Sequence, residues 1–288
     1  MRNIIRKKII AILMLGVLFF TQGYSVSAKE QVLNTRMGSV ISVGNIVCVG
    51  TSKGIYSINK KTGKKIKLTK KSGADMLIYR NKLYYKNGKY TYRVSVKGGT
   101  CEKLWKNRAV CFAKNGRLYY FDHGICSMKV DGSDVQNHFE LPAESGDIFY
   151  YKNRIYYYYN VTSEDGEEQK SEFASLNQNF TGKEKKNTQK YIPMLENAKD
   201  FGFSGSAVFT HKIYYFSDGE SNYQAIQYFK GKKRAKLYQT KFKYVFPLSA
   251  ADGIVLAKEG NKKDKFWNIK DGNYRVLTTS EKTLAVMK

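Results

Sequence analysis

Short runs of alternating apolar and polar residues recur along the chain, and long helical periodicity is missing. The most regular run has a polar residue, an aliphatic residue and usually two tyrosines, as in Lys82-Leu83-Tyr84-Tyr85. The aliphatic members are spaced by 36, 35, 37, 58 and 41 residues and are Val47, Leu83, Leu118, Ile155, Ile213 and Ile254. Strand repeats near 40 residues are typical of propeller blades. The pattern therefore predicts an all-β, six-bladed β-propeller of four-stranded repeats.

Each unit divides into an apolar first strand, the aliphatic-Tyr-Tyr strand, an alternating third strand and a short fourth strand. Tight turns separate them, as at Arg80-Asn81 and Asn115-Gly116. In the last unit the pattern predicts the third strand at residues 266–269 and the following turn at Asp271-Gly272. Two segments are candidates for the strand that closes the ring, residues 31–35 and residues 283–287.

The third unit, residues 117–134, resembles the YWTD repeat of the low-density-lipoprotein-receptor propellers. Tyr119 to Asp122 occupy the tetrad, and the Asp131 to Ser133 turn follows in register. Over about residues 39–280 the chain is similar to bacterial secreted domains of unknown function classed as receptor-like β-propellers. The resemblance implies the fold. Other units depart from the tetrad, as at Tyr84 to Asn87, so receptor-type ligand contacts do not carry over.

The N-terminal segment has the three parts of a secretory signal. A charged region contains Arg2, Arg6, Lys7 and Lys8; an apolar run covers residues 9–20, and Val26-Ser27-Ala28 provides small residues for cleavage. The apolar run is short for a membrane span, which leaves an uncleaved anchor as the alternative. We expect a signal peptide at residues 1–28 and one propeller domain at residues 29–288. The mature protein is expected to be secreted, monomeric, without an integral membrane segment, and associated with the cell wall.

The chain is strongly basic, with a formal net charge of +26. A secreted protein of this charge is expected to prefer anionic cell-wall polymers, acidic polysaccharide or a membrane surface, whereas nucleic acid is not expected in that compartment. The alternatives are a solvated lysine-rich surface with no polymer role and a protein partner. The turns between strands one and two and between strands three and four share one face in this fold. Its polyanion-binding candidates are Lys60, Lys61, Lys64, Lys82, Arg117, Arg154, Lys232 and Lys233.

The long fourth spacing predicts extended loops on the opposite face. Residues 160–170 and about 189–203 lengthen two loops around the fourth unit, and long loops on a rigid scaffold often carry binding. The alternative is a surface insertion without a role. The ligand-binding candidates near these loops are Tyr158, Tyr159, Asp165, Asp218 and Tyr223.

The four cysteines, at positions 48, 101, 111 and 126, are expected to be mostly buried free thiols, with disulfides as the alternative. Cys111 and Cys126 fall on the first and third strands of one unit, about 9–10 Å apart. A disulfide needs Cα atoms within about 7 Å.

No residue pattern indicates a catalytic, metal or cofactor site. Sialidases are also six-bladed, but their Ser-x-Asp-x-Gly-x-Thr-Trp hairpins are only approached at residues 163–166 and 217–219, and no tryptophan follows. The chain has no nucleophile elbow and no phosphate-binding glycine loop. A non-enzymatic binding module is therefore expected. The alternative is a carbohydrate-active enzyme, a glycoside hydrolase or lyase, on the propeller.

Overall fold

The computed structural model describes residues 39–142, 146–151, 153–162, 169–185, 214–216, 224–230, 233–251, 253–265, 268–278 and 282–288. Strands are the regular elements of this part of the chain, and they form six sheets. The first sheet contains β1 Val40–Val43, β2 Ile46–Thr51, β3 Gly54–Asn59 and β4 Lys65–Thr69. The second sheet contains β5 Ala74–Tyr79, β6 Lys82–Asn87, β7 Tyr90–Ser95 and β8 Glu102–Lys106. The third sheet contains β9 Val110–Lys114, β10 Arg117–Phe121, β11 Gly124–Lys129 and β12 Gln136–Glu140.

The last three sheets follow the same order along the chain. The fourth sheet contains β13 Gly146–Tyr151, β14 Arg154–Thr162, β15 Gln169–Leu176 and β16 Glu184–Lys185. The fifth sheet contains β17 Tyr214–Phe216, β18 Ala225–Lys230 and β19 Lys233–Gln239. The sixth sheet contains β20 Tyr244–Ala251, β21 Ile254–Gly260, β22 Asn273–Thr278 and β23 Thr283–Met287. Within the described residues, five sheets have four strands and the fifth sheet has three.

Every sheet is a meander of consecutive antiparallel strands, and the first described strands of several neighbouring sheets contact one another. β1 contacts β5, β5 contacts β9, and β9 contacts β13; β20 contacts both β17 and β1. The last sheet therefore lies against the first. This is an arrangement of the propeller type, and the expectation of an all-β chain built from repeated sheets is confirmed.

The predicted tight turns have the backbone geometry that their residues favour. Arg80 and Asn81 have φ values of 49° and 59°, and Asn115 and Gly116 have 50° and 79°. Positive φ at both central residues is the type I′ geometry, whose twist matches that of the flanking strands. Asparagine and glycine reach this conformation at low cost, which explains why the sequence marks these turns clearly.

Hydrogen bonds show which turns share a face of the molecule. The amide of Lys60, after β3, donates to the Asn45 carbonyl between β1 and β2 at 2.8 Å. At the other end, the Asn107 amide after β8 donates to the Lys89 carbonyl between β6 and β7 at 2.7 Å. We call the first end the hairpin face. The linker face is the other end, formed by the turns between second and third strands and by the links between sheets.

The described tyrosine pairs are core residues on both faces of their strands. Tyr84 and Tyr85 are 1% and 0% exposed, and Tyr156 and Tyr157 are 4% and 0% exposed. Successive side chains of a strand point to opposite faces of its sheet. Both faces of these strands are therefore packed in the core.

The sixth sheet differs from the predicted strand assignment. Its third strand is β22, Asn273–Thr278, and not residues 266–269. Asp271 precedes β22, and its Oδ1 accepts hydrogen bonds from the amides of Asn261 and Lys262 at 3.0 and 2.9 Å. The Asp271-Gly272 pair therefore closes the base of the β21–β22 loop instead of the next hairpin. The C-terminal segment, β23, completes this sheet as its fourth strand. Residues 31–35 lie outside the described residues.

The fourth sheet also corrects an expectation. Residues 160–170 were predicted to be a loop, but β14 continues to Thr162 and β15 begins at Gln169. Thr162 pairs with Gln169 and Asn160 with Ser171, so residues 160–162 and 169–170 extend an antiparallel hairpin. Residues 163–168 lie outside the described residues. The second predicted long loop, residues 189–203, lies outside the described residues.

All four cysteines are free thiols in the structure. Cys48 and Cys126 are buried, whereas Cys101 and Cys111 are only partly buried. Burial raises the pKa of Cys48 to about 12, with a smaller opposing effect of a hydrogen bond to Ser57. A thiol of this kind is unreactive at neutral pH, which agrees with a packing role.

Candidate functional site

The described polyanion-binding candidates lie at the hairpin face, and they differ in exposure. Lys60, Lys61 and Lys64 lie in the turn between β3 and β4, and Lys61 and Lys64 are exposed. Lys82 begins β6 and is half-buried. Lys233 begins β19, and Lys232 lies outside the described residues.

Arg117 forms a clamp within its own sheet. Its Nε donates to Ser127 Oγ on β11 at 2.8 Å, and its Nη1 donates to Asp134 Oδ2 at 2.6 Å. Ser127 Oγ also bonds His138 Nε2 on β12 at 2.7 Å. Arg117 thereby connects the second, third and fourth strands. Its charge is compensated by Asp134, whose pKa is lowered mainly by the hydrogen bond from Arg117.

Arg154 repeats this arrangement in the fourth sheet. Its Nε donates to Ser175 Oγ at 2.9 Å, its Nη2 donates to the Gly182 carbonyl at 2.8 Å, and its Nη1 lies 3.2 Å from Glu184 Oε1. A guanidinium presents several donors in a fixed plane, which suits this three-point contact. Both arginines therefore make hydrogen bonds and ion pairs within their own sheets, and their binding to a polyanion stays a prediction.

A substitution of Arg154 tests whether its contacts stabilise the fourth sheet. Arg154→Gln is expected to lower the free energy of unfolding by about 1–2 kcal/mol, because hydrogen bonds made by a charged group are lost. Urea denaturation measures the loss, and Lys185→Gln at the end of β16 is a charge-matched control with a smaller expected effect. An unchanged midpoint for Arg154→Gln would contradict the structural role.

Positive charge is concentrated along the chain rather than spread over one face. Residues 53–97, which we call the basic segment, contain twelve lysines, two arginines and one acidic residue, Asp75. Residues 110–185 contain eight basic and twelve acidic residues. The basic segment covers β3 to β7, in the first two sheets. Its exposed cations are Lys53, Lys61, Lys64, Lys65, Lys67, Lys70, Lys71, Arg80, Lys89 and Lys97.

The candidate ligand residues of the fourth unit are only partly described. Tyr158 is half-buried on β14, where it pairs with Asp147 and Phe173. Tyr159 was expected to be exposed but is 5% exposed and stacks on Tyr157 with ring centroids 6.2 Å apart. Its ring therefore offers little surface to a ligand. Asp165, Asp218 and Tyr223 lie outside the described residues.

A cleft of about 390 Å³ opens on the linker face between the first, second and sixth sheets. This volume is in the range of small-ligand sites. Ser52 lies in the turn between β2 and β3, and Gly88 lies in the turn between β6 and β7. Ser72 and Gly73 belong to the link between β4 and β5. The remaining lining residues are Ser39, Gly50, Thr51, Ala74, Lys86, Asn87, Leu248 and Tyr274.

Hydrogen bonds at two places fix the walls of this cleft. Tyr274 Oη accepts from the Ser52 amide at 3.2 Å and lies 2.7 Å from Ser52 Oγ, which joins the sixth sheet to the first. Asn87 Nδ2 donates to the Ser72 carbonyl at 2.8 Å, which joins β6 to the β4–β5 link. Burial raises the pKa of Tyr274, but the Ser52 hydrogen bonds and the Lys258 charge outweigh it, and the net pKa is lowered. The cleft is therefore a preformed polar site.

Leu248 gives the cleft one apolar surface. The register of β20 against β21 shifts between Pro247 and Ser249, so Leu248 occupies a bulge and is 48% exposed. A bulge re-aims a side chain, and a proline inside a strand is the sequence signal for one. No local sequence pattern indicates the cleft, because its lining residues come from six separate segments.

The buried carboxylate of Glu259 lies in a separate polar cluster between the fifth and sixth sheets. Glu259 is 0% exposed and accepts hydrogen bonds from Tyr238 Oη and Thr240 Oγ1 at 2.7 Å each, and from Arg275 Nη2 at 2.6 Å. Burial acts to raise the pKa of Glu259, but these hydrogen bonds and the Arg275 charge lower it overall. Burial and the bond to Glu259 raise the pKa of Tyr238 to about 12.

Metal-binding groups and membrane-spanning helices are two further features that bear on function. Within the described ranges, no group of three or more His, Cys, Asp and Glu side chains is placed to bind a metal ion. Among the same residues, no helix has the length and hydropathy needed to cross a bilayer.

No family model and no curated protein matches this chain. Among solved structures, the N-terminal domain of Nup159 is 14% identical with a TM-score of 0.41, over 84% of this chain and 73% of that one. YjhT is 12% identical with a TM-score of 0.42, over 91% and 99% of the two chains. The tricorn protease is 13% identical with a TM-score of 0.44, over 90% of this chain and 26% of its own. The architecture described above rests on the strand pairing of the chain itself.

Proposed function

We propose that this protein is a secreted, non-enzymatic binding module that docks on an anionic polymer at the bacterial cell surface. In this proposal the signal peptide at residues 1–28 is removed, and residues 29–288 form a closed six-bladed β-propeller of the YWTD-like type. The basic segment makes the contact with the polymer. Anionic cell-wall material and acidic polysaccharide are the expected partners.

The concentration of charge in the basic segment carries this proposal. Fourteen cations and one carboxylate fall within residues 53–97, and ten of the cations are exposed. Like charges placed close together on a folded surface raise its potential and attract a polyanion. Two lysines of the third and fourth sheets have acidic neighbours instead: Lys183 lies 2.8 Å from Glu172, and Lys129 lies 3.7 Å from Asp134.

The partners of the buried carboxylates favour binding over catalysis. Glu259 is paired with Arg275, and Glu172 accepts hydrogen bonds from Tyr157 Oη and Lys183 at 2.8 Å each. A general acid needs a raised pKa, whereas the pKa of both carboxyls is lowered overall. Hydrolysis of an acidic polysaccharide by the purified protein would overturn the non-enzymatic proposal.

The polymer proposal predicts a large loss of affinity from three substitutions. Lys61→Gln, Lys64→Gln and Lys67→Gln together are expected to weaken binding to purified anionic cell-wall polymer by about a hundredfold. Each lysine near an anionic surface contributes about 1 kcal/mol. Retention on immobilised polymer across a salt gradient measures the change, and the unmodified protein should elute at higher salt.

A variant of equal charge separates local contact from net charge. Lys129→Gln, Lys183→Gln and Lys185→Gln together remove the same three charges from the third and fourth sheets. This control is expected to elute close to the unmodified protein. Equal losses in both triple variants would refute docking through the basic segment, and no retention of the unmodified protein at low salt would refute polymer binding itself.

A further inference from the structure

We infer that the cleft on the linker face binds one acidic monosaccharide unit, and this inference rests on the proposed function. The cleft adjoins the basic segment, since Ser52, Ser72, Lys86 and Gly88 belong to it or border it in sequence. The basic segment also has exposed lysines at the linker face, Lys53, Lys70, Lys71 and Lys89, so a polymer held by these has the preformed cleft within its reach. The cleft adds recognition of a single unit to the general attraction of charge.

The composition of the lining sets the chemistry of the ligand. Ser39, Thr51, Ser52 and Ser72 supply hydroxyl groups, and Asn87 supplies a carboxamide. Such groups donate and accept hydrogen bonds in the way that sugar hydroxyls require. Three glycines, Gly50, Gly73 and Gly88, leave backbone groups without covering side chains.

One cationic and one apolar side chain narrow the chemical class of the ligand further. Lys86, on β6, lines the cleft and is suited to a carboxylate or phosphate substituent. Leu248 projects from the β20 bulge and is suited to the apolar face of a sugar ring. A ring with hydroxyls and one acid group meets these conditions together.

The arrangement is fixed before a ligand arrives. Tyr274 and Ser52 connect the sixth and first sheets, and Asn87 and Ser72 connect two segments around the second sheet. The phenol of Tyr274 is 6% exposed, so it supports the wall and does not offer its ring face to the ligand. Preorganised walls reduce the entropy cost of binding.

Isothermal titration calorimetry of the purified protein with acidic sugars tests this inference. The probes are glucuronate, galacturonate and glucose 6-phosphate, with glucose and acetate as the ring-only and charge-only comparisons. At least one acidic sugar is expected to bind saturably, about tenfold or more tightly than either comparison. Absence of saturable binding by all three, or equal binding of acetate or of glucose, would overturn the inference.

Paired variants locate the binding in the cleft. Lys86→Gln is expected to weaken the acidic sugar about tenfold, whereas Lys97→Gln, the same change at the hairpin end of the same sheet, should not. Leu248→Ser should also weaken it, and Val135→Ser, at an equally exposed apolar residue of the third sheet, should not. Thermal melts confirm that each variant is folded, and equal effects within a pair would overturn the assignment.

The two proposals fail in different ways. If Leu248→Ser abolishes sugar binding while salt-dependent retention on the polymer persists, both proposals are supported. Polymer retention without binding of any acidic sugar overturns only the cleft inference. Sugar binding in the cleft without polymer retention overturns the proposed docking function and leaves a small-ligand site.

Discussion

Glu259→Gln is expected to lower the free energy of unfolding by about 3–5 kcal/mol. The substitution keeps the shape of the side chain but leaves Arg275 without its counter-charge in a buried site. Arg275 contacts Glu259 through Nη2 at 2.6 Å and Nε at 3.1 Å, and its guanidinium lies 4.8 Å from the Tyr238 ring centroid. Because Tyr238 is on the fifth sheet and Arg275 on the sixth, the loss should loosen that junction. Chemical denaturation monitored by circular dichroism measures it.

A control variant and the pH dependence of stability make the test of Glu259→Gln more specific. Glu102→Gln removes a half-exposed partner of Arg93 and is expected to have a much smaller effect. The pKa of folded Glu259 lies below its ordinary value of 4.5, so its stabilisation is complete above that value and is lost as pH falls through the folded pKa. The Gln variant should therefore lose less stability below about pH 4.5 than the unmodified protein. Parallel curves would contradict the coupling.

Tyr157→Ala is expected to lower the free energy of unfolding by a similar amount, about 3–5 kcal/mol, because the lost aromatic side chain leaves a large cavity. Tyr157 is 0% exposed, packs against Phe139 of the third sheet at 5.7 Å between ring centroids, and donates a hydrogen bond to Glu172 at 2.8 Å. The variant thus removes a contact between sheets and a hydrogen bond to a carboxylate. Thermal and urea denaturation measure the change.

The neighbouring tyrosine is the matched control. Tyr158→Ala removes the same side chain one position along β14, where the residue is half-buried, and a clearly smaller loss is expected. Tyr157→Phe keeps the ring and should recover most of the stability, with the remaining deficit assigned to the Glu172 hydrogen bond. Equal losses at 157 and 158 would mean that the repeated tyrosines do not share the packing described here.

The distribution of charge changes how the surface is understood. Turn positions alone predict that basic residues of every unit form one continuous face. In the structure Arg117 and Arg154 are bound to serines and carboxylates of their own sheets. Exposed positive charge along the described chain is densest in the basic segment of the first two sheets. This segment reaches both faces: Lys61 and Lys64 lie at the hairpin face, and Lys53, Lys70 and Lys89 lie at the linker face, where the cleft opens.

The amino-acid sequence by itself determined the repeated sheets and the tight turns. Strand alternation, tyrosine pairs and turn residues such as Arg80-Asn81 act over a few neighbouring residues, so each can be recognised locally. The sixth sheet was misassigned because Asp271 makes its hydrogen bonds ten residues back along the chain, to the Asn261 amide, and no local pattern shows this. Only the tertiary structure decided that both tyrosines are buried in the described pairs Tyr84-Tyr85, Tyr119-Tyr120 and Tyr156-Tyr157. The same holds for the Arg117 and Arg154 clamps and for the cleft shared by the first, second and sixth sheets. These features depend on which surfaces meet across sheets, and contacts between distant segments follow from packing rather than from local sequence.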